Sequence, residues 1–395
     1  IENCKMDTKS KNINGENCLL LACYNNPNIR IIKYLIEECE MDTDLLDNDG
    51  ENCLLFACRN NPNVEIVKYL IKDCKMNVNL MNRHGNNCLL VACEHNNPNI
   101  EIIQYLIEEC HMNINSKNNE GENPLIIACY YNKNIDTIKY LIEDCKMDIY
   151  VTEKDGKNSL ISACYGGRNI DLIKYLIEDC KMNKNLKDRN GNNCLLTACM
   201  SNININVIKY LVEECNMDIN LKNNSGYNCL LLACYYNPSI NVIRYLIEDC
   251  KIDINSRNNY SSNCLLLACM NNPNIDIVKY LVEECKSDIN ARNYENDNCL
   301  SLACYGTENV EIIKYLIEEC NMDMHYNDYY INYPQLACEN SHIDIIKYLI
   351  EDCQIDINML TVEYITKKNA NFLRETGYIN FIKNSNENNL INKII

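Results

Sequence analysis

The stretch NCLLLACYNNPNIRIIKYLIEEC (17–39) returns, with small changes, ten times along the 395 residues. Aligned on its Ala-Cys pair, the copies fall at Ala22, Ala57, Ala92, Ala128, Ala163, Ala198, Ala233, Ala268, Ala303 and Ala337. Seven of the nine intervals are 35 residues, one is 36 and the last is 34. A fixed period of this size marks stacked supersecondary units, each packed on its neighbours, and not a globule with one centre.

Asn17 precedes a short apolar run. Its side chain can accept from backbone N–H groups two or three residues on, so it caps a helix. Asparagine holds that place in the first nine units, through Asn298. In one unit Pro124 follows the cap, at the first helical position, where a missing N–H costs nothing. The small Ala-Cys pair lets adjacent helices approach closely. A helix of about eight residues is too short to be stable alone and exists because its neighbours cover it. Asn-Pro-Asn (26–28) breaks the chain, and a second helix carries Ile29, Ile32, Leu35 and Ile36 on one face. After Cys39 an extended stretch ends in turns such as Asn14-Gly15, Asp49-Gly50, Asp155-Gly156 and Asn190-Gly191, where glycine supplies a positive φ. The fold class expected is all-α: a solenoid of about ten helix-turn-helix repeats with hairpin-like loops.

With these elements in place, the chain resembles the ankyrin-repeat family over residues 1 to about 358. The first seven units keep G-x-N-[C/P/S]-L/I where ankyrin units carry G-x-T-P-L-H-x-A, and ENPLIIA (122–128) is the nearest copy. The ending YLIEECxMDIN is similar to the ankyrin LLxxGADxN with one residue added, and a second added residue lies between the helices. The tenth unit, ACENSHIDIIKYL (337–349), drops that second residue and regains the family's histidine as His342. There are departures. The family's histidine two residues before the alanine is apolar here (Leu20, Leu55, Ile126). Its glycine at the end of helix two is cysteine, so that cap must be built differently. Ser261, Asn296 and Tyr330 replace the hairpin glycine in units eight to ten.

Residues 8–358 are therefore the array. Residues 1–7, IENCKMD, read like the closing phrase IEECNMD (317–323), so the array is expected to continue upstream. Residues 359–395 leave the pattern. Phe372, Phe381, Leu360, Val362, Ile365 and Leu373 among charges suggest capping helices over 361–383, with a disordered NSNENN (384–389) beyond; the alternative is a docking module.

No stretch approaches the ~20 apolar residues that cross a bilayer, and no signal-peptide pattern opens the chain. The 28 cysteines are periodic: ten follow the alanine, ten close helix two, seven lie four residues before the alanine, and Cys4 belongs to the partial unit at the start. Equivalent positions in stacked units should be ~8–10 Å apart, whereas a disulfide needs Cα atoms within roughly 7 Å. Buried thiols in a reducing, cytoplasmic setting are expected. Five scattered histidines and no C-x-x-C pair argue against zinc, and no cofactor is expected.

Helix two ends in paired acids in nine units and in Lys72-Asp73 in the second, giving nineteen carboxylates and one lysine in a chain of net charge −18. Carboxylates at a helix C-terminus oppose the macrodipole, so helix stability does not select them. They read as an outer acidic edge that repels phosphate backbones, which disfavours nucleic acid. Catalysis has no motif behind it: no nucleophile elbow, no phosphate-binding glycine loop, no H-E-x-x-H. Cys110-His111 are chain neighbours, which does not make a dyad.

Function is expected at positions that vary between units. Two residues after the alanine stand Tyr24, Arg59, Glu94, Tyr130, Tyr165, Met200, Tyr235, Met270, Tyr305 and Glu339. The ankyrin resemblance implies that this position lies on a concave face, and Tyr, Met and Arg are enriched in interface cores. With Tyr131 and Tyr236 they form the leading candidate contact stripe; the alternative is that the tyrosines fill gaps between helices. A second candidate row lies at the hairpins: Lys11, Lys117, Lys187, Lys222, Arg257 and Arg292. The alternative there is a solvated loop.

The reading is a non-catalytic scaffold, a monomeric array that holds a protein partner without nucleic acid, membrane or metal. Two rivals are a substrate-recognition adaptor of a ubiquitin-ligase complex, as the resemblance to viral ankyrin proteins implies, and a structural particle component. The Asn, Ile, Lys and Tyr richness is similar to ankyrin proteins of giant amoeba-infecting viruses and AT-rich protists, in which case the host cytoplasm is the setting.

Overall fold

Each repeat folds because its asparagines finish what its short helices cannot. The computed structural model describes residues 10–94, 99–131, 134–166, 169–323, 333–339 and 343–354, together with Leu373 and Glu375. Two compact units divide the chain, Ile1–Ala198 and Cys199–Ile395. Among the described residues there are helices and turns and no strands.

In the first unit the opening helices of the repeats begin with Cys18–Asn25, Cys53–Asn60, Cys88–Cys93 and Pro124–Tyr131. The expected caps form: the Leu20 N–H donates to Asn17 Oδ1 at 2.9 Å and the Leu55 N–H to Asn52 Oδ1 at 3.0 Å. Leu54, Leu55, Leu89 and Leu90 are wholly buried, each contributing about 1.5–3 kcal/mol. In the second unit Cys229–Tyr236 and Cys264–Asn271 repeat the arrangement, with Asn228 capping at the Leu231 N–H, 2.9 Å.

Asparagine does more than the sequence pattern suggests. In Asn-Pro-Asn (61–63) both asparagines bind in two directions. Asn61, wholly buried, donates through Nδ2 to the Cys23 and Asn26 carbonyls of the preceding repeat, at 2.8 and 3.1 Å, while its Oδ1 accepts the Asn63 N–H. Asn63 caps helix two at the Glu65 N–H and donates back to the Pro27 carbonyl at 2.7 Å. The second unit reproduces this at Asn272, which donates to Cys234 and Asn237 carbonyls, and at Asn274, which donates to the Pro238 carbonyl. Buried backbone carbonyls at helix ends need partners, and these side chains supply them.

The added residue at the end of helix two is taken up as a widened last turn. The Cys39 N–H bonds to the Tyr34 carbonyl, five residues back, and the Met41 N–H to the Leu35 carbonyl, six back. The residue after each of these cysteines then turns left-handed: Glu40, Lys75, His111, Lys146 and Lys181 in the first unit, and Asn216, Lys251, Lys286, Asn321 and Gln354 in the second. This is the differently built cap expected from the missing glycine, at a strain of about 1 kcal/mol each.

The hairpin-like loops are tight turns organised by one side chain. Asn12 Oδ1 accepts the Asn14 and Glu16 N–H groups, and Asn258 Oδ1 those of Tyr260 and Ser262. Successive tips join through backbone bonds, Asn48 N–H to the Asn14 carbonyl and Asn259 N–H to the Ser225 carbonyl. Ser261 and Asn296 adopt φ of 65° and 68°, so the left-handed turn survives without glycine there. Tyr330, residues 1–7 and most of 359–395 lie outside the described residues; of the expected cap, only Leu373, buried, and Glu375 are described.

Candidate partner-binding groove

Two side-chain rows that could have been functional are occupied with holding repeats together. The first is the acidic edge. The leading carboxylate of seven pairs accepts the hydroxyl of the tyrosine in the following repeat: Tyr69 to Glu37, Tyr140 to Glu108 and Tyr175 to Glu143 in the first unit, at 2.7–2.8 Å. Tyr245 to Glu213, Tyr280 to Glu248, Tyr315 to Glu283 and Tyr348 to Glu318 follow in the second, at 2.8–2.9 Å. The edge is thus only partly a solvated charge row; docking between repeats selects its first member. Burial, then the bond to glutamate, raises each of these tyrosines above its ordinary range. The Tyr280 hydroxyl lowers Glu248 in turn. A lysine or arginine sits over six of these rings, as Lys33 does over Tyr69 at 4.8 Å and Arg244 over Tyr280 at 4.2 Å.

The second row is the basic one at the hairpins. Lys117, Lys187, Lys222 and Arg257 are exposed and Arg292 is half-buried. Lys222 Nζ donates to the Arg257 carbonyl at 3.0 Å, and Arg257 donates to the Arg292 carbonyl at 3.0 Å and to the Ser261 carbonyl. Lys117 reaches the Thr152 carbonyl at 3.5 Å, and Arg292 the Asn296 carbonyl at 2.7 Å. These cations staple loops.

The stripe two residues after the alanine is different. Leu and Cys of helix one point into the stack, which leaves this position at its margin: Tyr24, Arg59, Glu94, Tyr130, Tyr165, Met200, Tyr235, Met270 and Glu339 are half-buried, while Tyr131, Tyr236 and Tyr305 are exposed. In the first unit Tyr130 stacks on Tyr165 with centroids 5.6 Å apart and meets Tyr131 edge-on at 4.5 Å. Gly166 permits this approach, since a Cβ there would meet the Tyr130 carbonyl at 2.4 Å. In the second unit Tyr235 packs edge-on to Tyr236 at 4.4 Å and near Tyr227 at 6.3 Å.

In the first unit this stripe and the hairpins close around an open groove of about 910 Å³ that runs from Glu16 to Tyr131. At its centre Arg59 pairs with both Glu51 and Glu94. Asn82 donates to Glu51 at 2.6 Å and Asn86 donates to Glu94. Burial raises the Glu94 carboxyl, which Arg59 opposes and Glu51 reinforces. Burial lowers Arg59, but Glu94 and Glu51 outweigh it and leave its pKa raised. Of the groove, the sequence stripe contains Tyr24, Arg59, Glu94 and Tyr131; it misses Asp49, Glu51, Asn82, Asn86, Glu120 and Glu122. The residue six before the alanine, which runs Glu16, Glu51, Asn86, Glu122, Lys157, Asn192 and then Tyr227, varies as freely as the stripe and would have found several of them.

Elsewhere the chemistry is quiet. Among the described residues no three of His, Cys, Asp and Glu gather as a metal site, and no helix is long and apolar enough to cross a membrane. Burial raises Cys110, so its thiol is not activated by the adjoining His111. A family model for ankyrin repeats, in three copies, matches residues 1–82, 65–155, 89–188, 160–258 and 265–361. No curated protein matches the chain.

Proposed function

Because this chain belongs to the ankyrin-repeat family, whose repeats are in general protein–protein interaction modules, we propose that it is a non-catalytic scaffold that binds a protein partner through the face built from its first helices and hairpin loops. One observation carries the reading. Side chains that join repeats recur, whereas those on this face change from repeat to repeat: Tyr24, Arg59, Glu94 and Tyr130 occupy one position. Freedom at that position fits a surface whose composition is set by something outside the chain. A prearranged face loses little entropy on binding. The raised thiols, Cys93 and Cys129 among them, favour a structural role over a nucleophilic one and suit a reducing compartment.

A photoreactive amino acid tests the face directly. Placed at Tyr131 or Tyr236 in cells that make the protein natively, it is expected to capture a discrete protein; placed at Glu109 or Asp249, on the helix-two edge, it is expected to capture none. Capture from the edge alone overturns the proposal. Replacing Tyr130, Tyr165 and Tyr235 together by alanine is expected to abolish that capture while melting is retained; an equal loss of stability marks them as packing residues.

A further inference from the structure

We propose that the groove of the first unit holds an extended, lysine- and arginine-bearing peptide segment of the protein partner. The inference rests on the binding face described above and adds the chemistry of what fills it.

The charged side chains that line the groove are mostly negative. Seven of its lining side chains are carboxylates, against two arginines and His84. Arg59 is already shared between Glu51 and Glu94. Asp49 and Glu120, at the loop tips, are exposed. Asn86 lines the groove, is 3% exposed, and has an amide oxygen with no hydrogen-bond partner. A buried acceptor left unpaired costs about 1–3 kcal/mol; this one is closed off from the surface, so it is no contact for an occupant.

The fold does not require this charge. Where the first unit has Glu51 and Glu122, the second has Tyr227 and Ser262; where it has Asp49 and Glu120, the second has Ser225 and Tyr260. Two repeats of the second unit build the same loops with those residues, while a third carries Glu295 and Asp297 there, so the loop fold does not depend on acids at these positions.

Its dimensions select a peptide. The lining spans four repeats, roughly 30 Å at ~10 Å per repeat, which an extended chain of about nine residues covers at ~3.3 Å each. Leu21, Tyr24, Phe56 and Tyr131 lie among the carboxylates and suit aliphatic stems and apolar neighbours of the basic side chains.

The test uses the full chain and a fluorescent nonapeptide of three Lys-Leu-Arg triplets, with anisotropy as readout. The peptide is expected to bind, to weaken as salt rises, and to bind at least tenfold more tightly than its counterpart with Glu in place of Lys and Arg. D49N combined with E120Q, neither of which pairs Arg59, is expected to weaken binding about tenfold with an unchanged melting curve. E109Q combined with D249N, on the helix-two edge, should leave it unaltered. Equal binding of the acidic peptide, indifference to D49N/E120Q, or displacement by spermine or calcium at a matched charge concentration overturns the proposal. If the peptide fails while Tyr131 still captures a protein, the partner chemistry is wrong and the face stands; if both fail, the face itself is wrong.

Discussion

The two compact units share their joints and differ in their faces. Asn61 and Asn272 make the same pair of bonds to the preceding repeat, and Tyr69 and Tyr280 the same bond to a glutamate. On the variable face the first unit gathers carboxylates around Arg59, while the second presents Tyr227, Tyr235 and Tyr236 to one another, with Tyr260 and Tyr294 exposed at loop tips. Packing and the variable face are therefore carried by separate positions of the repeat, and one can change while the other stays.

Alkaline titration is expected to break both units together, and by the most. Burial raises Cys58, Cys93 and Cys129 in the first unit and Cys234 and Cys304 in the second, a bond with Cys299 and then burial raise Cys269, and burial pushes Cys338 up to about 12. These thiols stay protonated in the folded chain. Stability is full below about pH 8.5, where unfolded thiols are also protonated, and falls as pH rises beyond it, each thiol contributing about 1.4 kcal/mol per pH unit. The ladder tyrosines join from about pH 10. Chemical denaturation between pH 7 and 10 measures the loss; a flat profile contradicts the shared thiol core.

The shared joint can be sharpened with N61A and N272A. Each strips two bonds from buried carbonyls and one from a turn N–H, a loss of about 3 kcal/mol. Denaturant midpoints should shift alike for both, and a marked inequality would show that the units are not built on one joint.

The smallest test concerns a flaw in the ladder. Tyr105 should meet a glutamate, but the second repeat has Lys72 there, 5.4 Å from the ring, and the buried hydroxyl has no hydrogen-bond partner. K72E is expected to stabilise the first unit by roughly 0.5–1 kcal/mol, and Y280F to destabilise the second by about 1 kcal/mol. Thermal melts that move in the same direction for both would deny the ladder its role.

Helix caps, helix lengths and turn glycines were legible because their causes are local: Asn17 acts three residues away and Gly15 on its own φ. The second duty of Asn61 was not, since its partners are backbone carbonyls 35 and 38 residues earlier, which leave no mark in side-chain patterns. The acidic edge was misread in part for a related reason: the period of Glu37 was evident, but its phase against Tyr69 appears only when repeats stack. Lys72 was visible as the lone exception, and its meaning waited on that phase. The groove was half legible, because attention to helix one and the basic loop row passed over Glu51 and Glu122.

The asparagine bridges have a consequence for how such a chain can change. Within either unit, Asn61, Asn63, Asn272 and Asn274 grip the neighbour by its peptide groups, which are alike whatever residues the neighbour carries. As far as these bridges go, a copy can be duplicated, excised or reordered in the gene, provided that a glutamate still meets its tyrosine, and recombination can then shuffle the variable faces as interchangeable cassettes.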